Sequence, residues 1–378
     1  MRRGQRKRPT VAVTTAIAFA VCSGCAQAAR DPVPPAADTR PAQSQSATDS
    51  RPAQSSTALQ KLVSDDTAPG CAAAVGERGE VIWQEARGLA DIDAGTKITA
   101  QTVFDVASVS KQFTATAVLL AVEAKRVSLD DHVSQHLTGL PPWADRVTVE
   151  QLMHHVSGIP NYVTILREQG HPLEQVTNRN LALTAIAGTK LNFRPGSKWE
   201  YSNSNYLLLG VMLEKIFDEP LPTLLHRLIF EPLQLGMIAS PTGDVPRKAR
   251  SYHAKAKGAG YELADWHWDV LGSGGVQATP TDLVGWADNY RAKTVGGATL
   301  NKRQLAGAEP TGVEDSRYGA GIYAYPDGTL RHGGEYGGFH TVFVVSADRT
   351  RALAIACNLA ELDASALGNE LQSIWLTP

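Results

Sequence analysis

Basic clusters, long apolar runs and internal repeats are all missing from the body of this chain of 378 residues. The lack of repeats excludes a fibre or a repeat array. Five basic residues lie before residue 29, where there is no acidic residue; without them, 31 basic and 38 acidic residues remain, a formal charge of −7. A mildly acidic chain without a basic run argues against nucleic acid as a partner.

The one apolar run near the start, residues 11–21, is too short for a transmembrane helix. It follows the basic residues and ends among small ones, which is the layout of a secretory signal. We therefore predict that residues 1–28 are a signal peptide and that the protein is exported, to the periplasm. Two processing alternatives remain open: release after Ala26-Gln-Ala28, or a lipoprotein whose Cys25, after Ser23-Gly24, carries the membrane tether.

Residues 29–57 are mostly Pro, Ala, Ser, Gln and Thr, and they lack large apolar side chains. Such a segment cannot bury enough surface to fold, so we predict a disordered tether. Residues 58–378 then form the folded domain. Its only cysteines are Cys71 and Cys357, which form a disulfide in an oxidising compartment or are two small buried residues.

The folded part begins and ends with strand patterns and is helical in between. A hairpin is predicted at residues 69–84, and a meander of antiparallel strands at 318–358, separated by turns such as Pro326-Asp-Gly328. Helical spacing marks a buried helix from Ser108 to about Lys125 and a last helix at 364–376. The region from about 130 to 270 is mainly helical. These patterns indicate an α+β protein.

Ser108 and Lys111 stand three residues apart at a predicted helix start, which places a hydroxyl and an amine on one helical face. A serine hydroxyl needs a neighbour to take its proton, and an amine whose pKa is lowered by burial can do so. We therefore predict that Ser108 is a nucleophile and Lys111 its base. The alternative is an ordinary helix start with a polar first turn.

Two further polar elements accompany this pair. Tyr201 and Asn203 precede an apolar helix at 207–217, where polar side chains can reach a cleft or simply cap the helix. His332 ends a strand before Gly333 and Gly334, which would let another backbone approach closely. His332 can carry charge or donate hydrogen bonds to a substrate carboxylate near neutral pH, or it is incidental to a glycine-rich turn.

The adjacent histidines His154 and His155 are interpreted as structural residues at a helix end, because neighbours on a helix diverge by about 100°. No cysteine or carboxylate stands at a metal-site spacing from them. We predict no metal site.

Ser108-x-x-Lys111, Tyr201-x-Asn203 and His332-Gly-Gly334 together resemble the three boxes of the serine β-lactamase and penicillin-binding-protein superfamily. The resemblance is closest to the branch of class C β-lactamases, D-alanyl-D-alanine carboxypeptidases and related esterases. It implies a β-lactamase-like fold in which both ends of the chain build one antiparallel sheet, flanked by helices. Such a sheet would place the strands of Cys71 and Cys357 side by side.

The resemblance also implies an acyl-enzyme mechanism. Ser108 would attack a carbonyl, while Lys111 and a Tyr201 of lowered pKa share its proton and pass it to the leaving group. Asn203 would bind the acyl side chain and orient Lys111. The backbone N–H groups of Ser108 and Glu335 would form the oxyanion hole, and no cofactor is needed.

The third box departs from most class C β-lactamases, which carry lysine where this chain has His332. The expected activity is therefore that of an esterase or D-amino-acid peptidase, on a small-molecule or peptide substrate that could derive from the cell wall. One alternative is a true β-lactamase. Another is a penicillin-recognising, cell-wall-binding protein that deacylates slowly and acts as a sensor or scaffold.

Overall fold

The computed structural model describes residues 49–172, 177–264 and 266–377. The predicted signal peptide, the Cys25 tether and most of the predicted disordered segment lie outside these ranges. Of the described helices, none is long and apolar enough to cross a membrane.

Helices and strands come in runs along the described chain rather than in alternation. The helices are α1 Arg51–Leu62, α2 Lys111–Glu123, α3 Val149–Met153, α4 Tyr162–Glu168, α5 Arg179–Ala187, α6 Asn203–Phe217, α7 Leu221–Leu225, α8 Pro280–Ala287, α9 Asn289–Ala292, α10 Gly297–Leu305 and α11 Ala364–Trp375. The strands are β1 Cys71–Glu77, β2 Glu80–Arg87, β3 Leu89–Asp91, β4 Thr96–Lys97, β5 Phe104–Asp105, β6 Ile238–Ala239, β7 Tyr252–Ala254, β8 Tyr261–Leu263, β9 Val276–Ala278, β10 Glu309–Pro310, β11 Arg317–Tyr318, β12 Tyr323–Ala324, β13 Leu330–Tyr336, β14 Phe339–Val345 and β15 Arg351–Cys357.

Both ends of the folded chain meet in one antiparallel sheet, with strand order β10-β11-β12-β13-β14-β15-β1-β2. The hairpin β1–β2 joins the C-terminal meander through β1 and β15. The predicted α+β architecture is therefore confirmed. In this register Cys71 lies directly opposite Cys357, and the two form a disulfide. The bond between them decides for the disulfide alternative, and both cysteines are also fully buried.

The central strands of this sheet are covered on both faces. On one face, alternate residues of β1 and β15 pack against α1 and α11, with Trp375 in that core. On the other face α8 lies so close that a Cβ at Gly76 would meet Val284 Cγ1. Burial on both faces explains why β1 and β15 read as continuous apolar runs rather than as alternating patterns.

The predicted helical region between about 130 and 270 holds α3 to α7 and the short strands β6, β7 and β8. Its helix α6 packs against α2, and Phe113 of α2 meets Phe230 edge to face at 5.3 Å. Thr148 caps α3 in a reciprocal capping box with Gln151. This packing holds α2, and with it Lys111, in a rigid core.

The predicted disordered segment ends earlier than residue 57, because α1 begins at Arg51. Pro52 suits the first turn of a helix, and Ala58 and Leu59 are buried. Trp375 Nε1 donates a hydrogen bond to Ser55 Oγ at 2.7 Å. The prediction was wrong for residues 51–57 because the partner that folds them lies some 320 residues downstream, beyond any local composition window.

Candidate active site

Ser108 lies in a single 3₁₀ turn, Ala107–Ser110, that runs directly into α2. The turn follows β5, and Ala107 adopts φ +48°, a left-handed conformation that costs a non-glycine residue energy. Asp105 compensates, because its Oδ1 accepts a hydrogen bond from the Ala107 N–H at 2.8 Å, and Gln277 Nε2 donates to its Oδ2 at 2.7 Å. This buried carboxylate therefore holds the nucleophile turn in place.

Lys111 is fully buried at the start of α2, and its Nζ lies 3.0 Å from Ser108 Oγ. The amine also donates a hydrogen bond to the Ser273 carbonyl at 2.5 Å. Burial lowers the pKa of Lys111 well below its usual value. Among the described carboxylates none forms an ion pair with it, so nothing offsets the cost of a charge there, and burial favours the neutral amine, which has a lone pair for the serine proton.

Tyr201 lies on the other side of the nucleophile, and its hydroxyl hydrogen-bonds with Ser108. Its ring centroid is 5.0 Å from Lys111 Nζ and 4.4 Å from the ring of His155. Burial raises the pKa of Tyr201, the opposite of the expected lowering. That expectation was wrong because burial removes the ring from water and penalises the phenolate, so Tyr201 stays protonated at neutral pH.

His155 was interpreted as a residue at a helix end, and it does follow α3, with φ +58°. It is also a support for Tyr201. Its Nδ1 accepts hydrogen bonds from the Ser202 N–H at 3.3 Å and the Asn205 amide at 3.0 Å, while its ring packs against the tyrosine ring at an interplanar angle of 37°. The sequence carried no signal for this contact, because residues 155 and 201 meet only through the packing of α3 on α6.

Asn203 is the first residue of α6, and it lies with Ser108 in the walls of two cavities. The cap position belongs to Ser202, so the alternative of Asn203 as a helix cap does not hold. Within the described part of the chain, no hydrogen bond joins the Asn203 amide to Lys111. The lysine is oriented instead by the Ser273 carbonyl, which lies in the glycine-rich segment 271–276.

His332 is buried in β13, and both of its ring nitrogens are engaged. Nδ1 lies 2.6 Å from the Gly333 carbonyl, and Nε2 lies 3.1 Å from the Tyr318 hydroxyl. Burial, with a smaller effect from Lys111, lowers the pKa of His332 to about 3. Of the alternatives offered for His332, a charged ring near neutral pH therefore does not hold, since the sheet and its aromatic neighbours remove this ring from water.

Gly334 is the point at which β13 touches the nucleophile turn. A Cβ at this position would lie 2.4 Å from the Val106 carbonyl and 3.1 Å from the Ser108 nitrogen. At Gly333 the nearest atom to such a Cβ would be the Thr341 carbonyl, at 3.8 Å. Only the second glycine is thus required for close approach. It brings the next residue, Glu335, into the wall beside Ser108.

All the residues predicted from the three boxes thus meet around Ser108. Tyr162, Trp266, Trp268, Ser273 and Tyr336 also line the site and were not predicted. In the described ranges, no group of three His, Cys, Asp or Glu side chains is placed to hold a metal ion.

The family model described as "Beta-lactamase" matches residues 57–372. Esterase EstB of Burkholderia gladioli is 27% identical over 339 residues, which cover 76% of this chain and 84% of that protein. Protein flp of Staphylococcus aureus (strain MW2) is 30% identical over 203 residues, 52% of this chain. That match spans only 38% of the length of the staphylococcal protein.

Solved structures share the fold. The octameric penicillin-binding protein homologue from Pyrococcus abyssi superposes with a TM-score of 0.75 at 20% identity, covering 85% of this chain and 76% of that one. D-amino acid amidase from Ochrobactrum anthropi SV3 superposes with a TM-score of 0.71 at 21% identity. The match covers 85% of this chain and 98% of that one. At such identities the likeness concerns the fold alone.

Proposed function

We propose, on the premise that this chain belongs to the beta-lactamase family, that it is a serine hydrolase that forms an acyl-enzyme on Ser108. The observation that carries the proposal is the 3.0 Å contact between Ser108 Oγ and the Nζ of a buried Lys111. A neutral amine at this distance can accept the serine proton, which is the step that makes a hydroxyl nucleophilic at neutral pH.

Lys111 and Tyr201 each carry out one of the proton transfers of the reaction. The Lys111 amine takes the proton as Ser108 Oγ bonds to the substrate carbonyl carbon. The protonated Tyr201 hydroxyl, hydrogen-bonded to Ser108, gives its own proton to the departing alcohol or amine. Transfer of the extra proton from Lys111 to Tyr201 restores both groups. A water molecule then cleaves the acyl-enzyme and returns the serine.

The negative charge that develops on the carbonyl oxygen needs fixed donors. The Ser108 N–H lies at the start of a helix, and Gly334 brings β13 against it, which favours the N–H groups of Ser108 and Glu335 for this role. Backbone donors of this kind require no reorganisation during the reaction.

Esters and amides are the favoured substrates, above β-lactams. A carboxylate-bearing antibiotic would meet a neutral, fully engaged His332 where a fixed lysine charge would help to bind it. A curated relative is named as an esterase and a structural neighbour as a D-amino acid amidase, which fits this ranking. A true β-lactamase and a slowly deacylating penicillin-recognising protein remain alternative outcomes of the test below.

Export to the periplasm, with the alternative of a lipid tether at Cys25, belongs to the same proposal. The buried disulfide between Cys71 and Cys357 supports it, because disulfides persist in oxidising compartments. A location beside the cell wall would suit a peptide substrate derived from it.

The full chain should be assayed with a short-chain nitrophenyl ester, a chromogenic cephalosporin and a D-Ala-D-Ala peptide, while mass spectrometry follows any adduct. Turnover is expected with the ester and is expected to vanish in Ser108→Ala. Ser110→Ala, from the same turn, is the matched control and should still be acylated on Ser108. Turnover by Ser108→Ala would contradict the nucleophile. Acylation without turnover would favour the slowly deacylating binding protein.

A further inference from the structure

Ser108 stands between two cavities of different chemistry. One cavity, of about 90 Å³, has four aromatic residues in its wall, Tyr162, Trp266, Trp268 and Tyr336. The other, of about 410 Å³, is lined mainly by polar residues, among them Tyr201, Tyr323, His332, His340 and Ser365. The two halves of a cleaved ester or amide must occupy these two spaces.

The aromatic wall is preformed. Trp268 is buried, with its indole N–H donating to the Pro172 carbonyl at 3.1 Å. The Tyr336 hydroxyl accepts from the Trp268 N–H at 3.0 Å and donates to the Trp268 carbonyl at 3.1 Å, which joins β13 to this segment. Tyr162 stacks on Trp268, and Trp266 meets the Tyr336 ring edge to face at 5.3 Å. The side chains of this pocket are therefore already held in place, and binding of an apolar group does not have to order them.

The position of Tyr201 assigns the two halves of the substrate. Tyr201 lines the polar cavity and not the aromatic one. The group that receives the Tyr201 proton is the leaving alcohol or amine, so that group lies in the polar cavity. The acyl half must then lie on the opposite side of Ser108, against Trp266 and Trp268.

The charges of the site select among acyl groups. In the described part of the chain, neither cavity is lined by lysine or arginine, while Glu335 lies in the wall of both. His332 offers no free donor, since Nδ1 and Nε2 are already bonded. An anionic acyl group would therefore lose its hydration without gaining a partner.

We propose that the substrates of this site are esters or amides whose acyl half is an uncharged aryl-alkyl group, such as a phenylacetyl or 3-phenylpropionyl group, held by Trp266, Trp268, Tyr162 and Tyr336. This inference rests on the proposed function. Ser108 Oγ bonds to the acyl carbon, the bond to the alcohol or amine breaks with the Tyr201 proton going to that group, and water releases the aryl-alkanoic acid. Among these residues, Trp266 determines the specificity for the acyl group. It is only partly buried, so it can be replaced without disturbing the core.

The test is a series of nitrophenyl esters with a constant leaving group and acetyl, butyryl, 3-phenylpropionyl or succinyl acyl groups. For the full chain, kcat/KM for 3-phenylpropionyl is expected to exceed that for acetyl by about 10- to 100-fold, as for apolar groups that fill a pocket. The anionic succinyl ester should be the poorest. In Trp266→Ala the ratio of kcat/KM for the 3-phenylpropionyl ester to kcat/KM for the acetyl ester should fall below about 3. In Trp266→Phe most of the wild-type ratio should remain.

Tyr261→Ala is the matched control, because it removes a half-exposed ring from the adjacent hairpin and not from either cavity. It should leave the acyl ratio unchanged. Unchanged selectivity in Trp266→Ala, or a best rate with the succinyl ester, would overturn the assignment of the pocket. Failure of the proposed function looks different: no ester is turned over at all, or all are turned over equally by Ser108→Ala.

Discussion

Tyr318 donates a hydrogen bond from its hydroxyl to Nε2 of His332 at 3.1 Å. Because the Gly333 carbonyl can only accept, the His332 Nδ1, 2.6 Å away, carries the ring proton. The third box of this site thus holds a neutral histidine with a defined tautomer. A lysine at this position would instead bring a positive charge toward Lys111.

We expect the His332 ring to stay neutral, with the proton on Nδ1, from pH 8 down to about 4, because burial lowers its pKa to about 3. Long-range ¹⁵N–¹H correlation spectra of histidine-labelled protein report the tautomer directly, and His332→Gln identifies the signal. A titration midpoint near 6.5 would contradict the burial argument. In Tyr318→Phe the Nε2 shift should change, because its donor is gone.

The pH dependence of kcat/KM should show an acid limb set by Lys111. Only the neutral amine can accept the serine proton, so activity is lost as pH falls through the lowered pKa of Lys111. The midpoint of this acid limb should therefore lie well below the usual lysine pKa of 10.5. Tyr201 should impose no basic limb below about pH 10, because its pKa is raised.

Replacing Lys111 by methionine removes the base and keeps an unbranched apolar stem in the same space. We expect a loss in kcat of about 10³-fold or more, the usual scale for a lost general base. The melting temperature should be unchanged or higher, because a desolvated amine is gone. Retention of more than a tenth of the activity would show that another group activates Ser108.

The paired glycines give a matched test of close approach. Gly334→Ala should lower kcat/KM by about 100-fold or more, the scale for a misplaced oxyanion donor, because its Cβ would collide with the Val106 carbonyl and push β13 away from Ser108. Gly333→Ala adds the same methyl group where there is room, so its unfolding free energy should match that of the wild type. Equal activity losses in both variants would mean that close approach at residue 334 is not what matters.

Removing the disulfide should lower the unfolding free energy without changing catalysis. The bond joins residues 286 apart, so it restricts the unfolded chain strongly. The double variant Cys71→Ser and Cys357→Ser should lose about 3–5 kcal/mol of unfolding free energy in urea titrations. Its kcat/KM at 25 °C should be that of the wild type, because the core around Cys71 and Cys357 does not include Ser108. Equal stability would indicate that the bond does not form in the folded protein.

Acid should destabilise the protein through His154. Burial lowers its pKa from 6.5 to about 4, so between these pH values the unfolded chain binds a proton that the folded one does not. The unfolding free energy then falls with falling pH, by about 1.4 kcal/mol per unit for this group. In His154→Leu the decrease in unfolding free energy between pH 6.5 and 4 should be smaller than in the wild type by about 3 kcal/mol. The lowered pKa values of His155 and His332 add to the same dependence of the unfolding free energy on pH, so part of the decrease should remain in the variant. An unchanged pH dependence in His154→Leu would contradict the role given to His154.

Much of the fold followed from local patterns. The hairpin, the C-terminal meander and the helix that begins near Ser108 are all present, because apolar runs between turn residues and helical spacing indicate which segments are buried. The start of α1 did not follow, since residues 51–57 fold only against Trp375. The aromatic wall of Trp266 and Trp268 was missed for the same reason: its shape depends on β13 and not on neighbouring residues.

The sequence by itself determined which groups could do chemistry. A hydroxyl and an amine three residues apart at the start of a helix must face each other, and this holds for Ser108 and Lys111 whatever surrounds them. Only the tertiary structure decided what state those groups are in. The pKa of Lys111 is lowered, Tyr201 is protonated and His332 is uncharged because distant segments exclude water from them, and a pKa depends on that exclusion rather than on position in the chain.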